Sequence, residues 1–108
     1  MLELDAVTRI RLFVYGSLRA GREHHAELRG ASCLGLAVTA ALYRLVERHA
    51  YPALLCGSSA IHGELYAVDA ETVALLDAFE GPEYRRAPVR LADGSEAEAY
   101  FSVELEQP

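Results

Sequence analysis

From Arg9 to Tyr15 the chain carries Ile10, Leu12, Phe13 and Val14, so apolar residues fall at both odd and even positions. Successive side chains of a strand point to opposite faces. A segment apolar on both faces therefore belongs inside a sheet covered on both sides. A chain of 108 residues is large enough to build one such core as a single domain. Apolar residues make up 52% and charged residues 24%, which is the balance of a globular protein rather than a disordered one.

The rest of the chain supplies the cover. Met1 to Thr8 reads as a tail and residues 9–108 as the domain. A short helix is expected around His24 to Leu28, ended by Gly30. Ala31 to Val46 reads as a strand bent at Gly35, with Tyr51-Pro52 and Gly57-Ser58-Ser59 as loops. Ala60 to Val68 alternates, with Ile61 and Leu65 on one face and His62, Glu64 and Tyr66 on the other. Asp69 is placed to cap a helix over Ala70 to Phe79, whose inward stripe is Val73, Leu76 and Phe79. Gly81-Pro82 stops it. Tyr84 to Leu91 and Glu96 to Val103 flank Asp93-Gly94, a strong hairpin signal. The expected fold is α+β, a compact, mixed, curved or barrel-like sheet with short helices.

Several function classes are disfavoured. A net charge of −6 opposes binding to nucleic acid or to an anionic membrane surface. No apolar run reaches the length of a membrane span. The acidic N-terminus lacks the basic start of a signal peptide, so a cytoplasmic location is expected. Cys33 and Cys56 are isolated from each other and from any His or Cys at metal-ligand spacing, so both are expected as buried thiols, with no metal site.

Two stretches carry chemistry. Leu76 to Arg86 ends the expected helix on a carboxylate, Glu80. There the helix dipole and the apolar Phe79 and Tyr84 both favour the protonated acid and raise its pKa toward that of a general base. Most glutamates at helix ends are simply solvated, and position alone leaves both readings open. Tyr15-Gly16-Ser17-Leu18 ends the first strand in a turn whose successive N–H groups can cradle an anion, with Gly16 permitting a positive φ or a close approach. An ordinary strand-ending turn would look the same. His24-His25 reads as exposed, and Glu64 is the other candidate acid. Ser17 has no nucleophile-elbow context. Tyr84 and Tyr100 on the last hairpin either line a pocket or cap the core.

Tyr15 to Leu18, Gly63-Glu64-Leu65-Tyr66, and Leu76 to Arg86 occur in an order that resembles the γ-glutamylcyclotransferase-like, or AIG2-like, superfamily. The resemblance implies a compact mixed β-barrel with short helices and a catalytic glutamate at Glu80. It further implies that Tyr15, Gly16, Ser17 and Leu18 grip a small-molecule γ-glutamyl substrate; Tyr84 and Tyr100 are the further substrate-binding candidates if the last hairpin lines the pocket. The γ-glutamyl group of an amine or peptide would cyclise to 5-oxoproline and release a free amine, with no metal or other cofactor. A non-catalytic module keeping the same pocket is the alternative. The Trp that follows Y-G-S-L-x in the glutathione-specific branch is absent here, where Arg19-Ala20 follow Leu18, which argues against glutathione. The chain also lacks the tail of longer members, so leaving-group contacts are expected to be few or to come from the second subunit of a homodimer.

Overall fold

A computed structural model describes residues 9–48 and 51–103, and the expected tail Met1 to Thr8 lies outside them. Seven strands form one mixed sheet: β1 (Arg9–Val14), β2 (Ser32–Val38), β3 (Tyr43–Arg48), β4 (Tyr51–Cys56), β5 (His62–Asp69), β6 (Tyr84–Arg90) and β7 (Glu96–Ser102). One α-helix, α1 (Ala70–Glu80), follows β5, and a single 3₁₀ turn spans His25–Leu28.

The strand order is β2-β5-β1-β7-β4-β3, with β6 paired to β7. β7 is the branch point. β6 runs antiparallel along it from Tyr84↔Ser102 to Arg90↔Glu96. Against β7 there also run two parallel strands in succession, β1 at Leu12↔Glu98 and β4 at Leu54↔Phe101. β1 and β4 do not pair with each other, so the sheet forks where they part. The sheet curls until the end of β2 meets the end of β6 at the single bridge Thr39↔Leu91, which leaves the expected barrel unclosed.

β1 is covered on both faces, as its sequence requires. Phe13 packs with Leu54, Leu65, Val89 and Phe101 on the concave side. Leu12 and Val14 pack on the other side with Leu28, Tyr66, Val68, Val73 and Leu76, contributed by the 3₁₀ turn, β5 and α1. Asp69 caps α1 by accepting the Thr72 N–H at 2.8 Å. Gly81, at φ 80°, ends it.

Several expectations are corrected. Ala31 to Val46 is two strands, because Thr39 to Leu42 turns the chain between β2 and β3, and the bulge between Cys33 and Gly35 lies within β2. Tyr51-Pro52 begins β4 instead of forming a loop. Cys33 and Cys56 are free and exposed. The first lies on an edge strand whose Leu34 and Leu36 also face out, and the second ends β4. Phe79 is 42% exposed although Val73 and Leu76 are buried, since it borders a cavity instead of the packed core. Among the described residues no helix is long and apolar enough to cross a membrane.

Candidate active site

Where β1 and β4 part, a cavity of about 250 Å³ opens. The end of β1 contributes Phe13 and Val14, and the following loop contributes Tyr15, Gly16, Ser17 and Leu18. The start of β4 contributes Tyr51 and Pro52, β7 contributes Tyr100, and the end of α1 contributes Phe79 and Glu80, with Tyr84 just beyond. Tyr15, Gly16, Ser17, Leu18, Glu80, Tyr84 and Tyr100 thus line one space, while the other candidate acid, Glu64, does not. Sequence reasoning missed His24, Tyr51, Pro52 and Phe79. Helical spacing assigns Phe79 to the core, His24 reads as exposed although it bonds Ser17 of the nearby loop, and Tyr51 and Pro52 reach the site only through long-range packing.

The loop after β1 holds its shape through its carbonyl groups. Gly16 O accepts from Arg19 N and Arg19 Nε, each at 3.1 Å. Ser17 O accepts from His24 N at 2.9 Å, and His25 Nδ1 lies 2.8 Å from Leu18 O. The N–H groups of Gly16, Ser17 and Leu18 have no acceptor among the described residues. Three successive donors without acceptors, in a loop that lines the cavity, are able to serve a carboxylate or an oxyanion. Gly16 has no positive φ. Its requirement is steric: a Cβ there would lie 3.1 Å from Pro52 Cγ.

Glu80 is the acid of the cavity. Its pKa is raised from 4.5 to about 7, and the cause is the loss of hydration on burial. The rise has the expected direction, and the apolar surroundings are its identified cause. Burial likewise holds the hydroxyls of Tyr15 and Tyr100 far above their ordinary range, neutral at any physiological pH. Tyr15 donates to the Tyr100 carbonyl at 2.6 Å, and Tyr100 donates to Asp77 Oδ1 at 2.6 Å. Asp77 is also paired with Arg86, which in turn pairs with Glu98. The helix turn bearing Glu80 is thereby tied to β6 and β7.

The remaining candidates separate. Glu64 does not line the cavity. It accepts from Ala20 N at 2.8 Å and Tyr66 Oη at 2.9 Å, and so pins the loop after β1 to β5. His24, expected to be exposed, is half-buried against the cavity with Nδ1 2.9 Å from Ser17 Oγ. Among the described residues no three His, Cys, Asp or Glu side chains are grouped to hold a metal ion.

The sequence profile of the family described as "Gamma-glutamyl cyclotransferase, AIG2-like" matches residues 12–107. The chain belongs to this family. A Vibrio cholerae protein, provisionally named as a γ-glutamylcyclotransferase, is 41% identical over 86 residues, 78% of this chain and 75% of its own length. The γ-L-glutamyl-butirosin B γ-glutamyl cyclotransferase of Niallia circulans is 35% identical over 69 residues, covering 64% of this chain and 44% of that one. Among solved structures, an uncharacterized protein from Pyrococcus horikoshii superposes with a TM-score of 0.75 at 32% identity, over 86% of this chain and 77% of its own. The α+β fold is that of this family of γ-glutamyl cyclotransferases.

Proposed function

We propose that this protein cyclises the γ-glutamyl group of a γ-glutamyl amine or peptide to 5-oxoproline and releases the free amine. The observation that carries the reading is one cavity holding both a carboxyl group tuned to about 7 and a loop with three N–H donors. A carboxylic acid of that pKa exchanges protons in both directions near neutrality. Membership of the family supports it, as does the Niallia circulans relative, named for action on a γ-glutamyl substrate.

The proposed chemistry uses few groups. Glu80 takes a proton from the substrate's α-amino group, and that nitrogen attacks the γ-carbonyl carbon. Charge develops on the carbonyl oxygen, where N–H donors of the Gly16 to Leu18 loop stabilise it. A single such donor is worth about 2.7–4 kcal/mol in a comparable oxyanion site. The bond from the γ-carbon to the leaving nitrogen then breaks, and protonated Glu80 gives that nitrogen the proton. Closing a five-membered ring is intramolecular, so holding the substrate near its attack geometry can supply roughly 7–11 kcal/mol of the barrier. Part-buried Tyr15 and buried Tyr100, both neutral, offer the substrate a wall that carries no competing charge.

Incubation with γ-glutamyl amines and dipeptides, followed by analysis for 5-oxoproline and free glutamate, tests the reading. It expects 5-oxoproline and the amine in equal amounts. Free glutamate in place of 5-oxoproline would make the protein a hydrolase. Binding of 5-oxoproline without turnover of any substrate would make it a ligand-binding module.

A further inference from the structure

The mouth of the cavity is unlike its interior. Phe13, Val14, Leu18 and Tyr100 are each no more than 6% exposed, whereas Tyr51 is 38% and Phe79 is 42% exposed. Between those two rings sits His24, its ring centroid 5.1 Å from that of Phe79, edge-on at 65°, and 5.8 Å from that of Tyr51. The arrangement is held in place. His24 Nδ1 is 2.9 Å from Ser17 Oγ, and the Tyr51 hydroxyl donates to Glu23 at 3.1 Å. Large apolar surface left open beside Glu80, with its rings already oriented, loses little entropy on receiving a ligand.

We propose that His24, Tyr51 and Phe79 form a subsite for the leaving amine, one that selects amines with an apolar, aromatic body and no carboxylate of their own. This rests on the γ-glutamyl reading and deepens it. The same cavity of about 250 Å³ runs from Glu80 and Tyr100 to the rings of His24, Tyr51 and Phe79, so a γ-glutamyl group seated beside Glu80 turns its leaving amine toward those rings. Aromatic faces and edges there favour another ring. Charge points the same way. Among the described residues no Lys or Arg lines this cavity, and Arg22 lines an adjoining depression instead. An amino acid or dipeptide as leaving group brings a carboxylate that would meet rings and the Glu80 carboxyl in a cavity that no described Lys or Arg lines.

Equilibrium binding to the Glu80→Gln protein tests the subsite without turnover. The probes are γ-glutamyl-methylamide, γ-glutamyl-benzylamide and γ-glutamyl-glycine. The benzylamide is expected to bind about tenfold more tightly than the methylamide, the gain of one well-placed aromatic contact. Even with the Glu80 charge removed in this variant, the glycine adduct is expected to bind no more tightly than the methylamide, since no described Lys or Arg lines the cavity to pair with its carboxylate. Adding Phe79→Ala or, separately, Tyr51→Ala should shrink the benzyl-to-methyl ratio to about threefold or less. Equal binding of all three probes, strongest binding by the glycine adduct, or a ratio unchanged in both variants would overturn the subsite. Turnover of the methylamide by the unaltered protein is read alongside. If it yields 5-oxoproline while the benzyl preference is missing, the subsite alone falls. If no probe binds and none is turned over, the γ-glutamyl reading falls with it.

Discussion

Asp77 takes the Arg86 guanidinium in both hands, with Nε 2.9 Å from Oδ1 and Nη2 3.0 Å from Oδ2. Two parallel charge-assisted bonds fix direction as well as distance. Asp77 stands one helical turn before Glu80, so the clamp sets where the last turn of α1 lies relative to β6. Arg86 and the Tyr100 hydroxyl together hold the Asp77 carboxyl below the usual carboxylate range.

Asp77→Ala is therefore expected to lower stability by about 1–2 kcal/mol, the value of charge-assisted bonds reduced by partial exposure. It should also lower kcat by about tenfold or more, because Glu80 loses its fixed position. Urea unfolding and steady-state kinetics read the two effects. In the double variant with Arg86→Ala the stability losses should be less than additive, which identifies the pair itself as their source.

The pH dependence of the rate reports on Glu80. Only the carboxylate can take the proton, so kcat/KM should rise with pH through a limb near 7, the value its burial imposes. A limb near 4.5 instead would mean that the group is hydrated in solution.

The same burial has a consequence for stability. Glu80 has a folded pKa of about 7 against 4.5 when hydrated. Between these values the unfolded chain has released a proton that the folded chain still holds, so raising the pH favours unfolding. The loss is absent below about 4.5, grows up to about 7 and then stays constant, reaching on the order of 3 kcal/mol. Glu80→Gln escapes it. Thermal melts should show the variant gaining on the unaltered protein between pH 4.5 and 7, to about 2–3 kcal/mol at pH 8.

Gly63 lets β5 lie tightly against the end of β1. A Cβ there would run into the Val14 carbonyl oxygen and lie 2.8 Å from Phe13 Cζ. Both neighbours belong to the buried strand that lines the cavity, and neither can yield cheaply. Gly63→Ala should destabilise the protein by about 2–4 kcal/mol in urea unfolding, far more than a surface alanine.

The parts of this fold governed by local pattern were open to sequence reading. The doubly apolar β1, the Asp69 cap and the Asp93-Gly94 hairpin each follow from a rule acting over a few residues. Glu80 and the Tyr15 to Leu18 loop could be singled out because each lies where a regular element stops. What escaped depends on distant packing. Phe79 has the spacing of a core residue, and only the fork between β1 and β4 leaves it at a cavity mouth. Tyr51-Pro52 looked like a loop because proline weakens strands, yet Pro52 fits near the start of β4, where it closes over Gly16. Cys33 is expected to be a buried thiol because no Cys or His stands near it at ligand spacing, and the order of the strands sets it on an exposed edge.

The proton transfer assigned to Glu80 is tested most directly by comparing 5-oxoproline formation from γ-glutamyl-methylamide in the unaltered, Glu80→Gln and Glu64→Gln proteins, with circular dichroism to verify the fold. The account predicts a fall in kcat of about 10²–10⁴-fold for Glu80→Gln, the contribution of a general base. Glu64→Gln, which loosens the loop after β1, should lose far less. Full turnover by folded Glu80→Gln protein, with the loss appearing in Glu64→Gln, would contradict it.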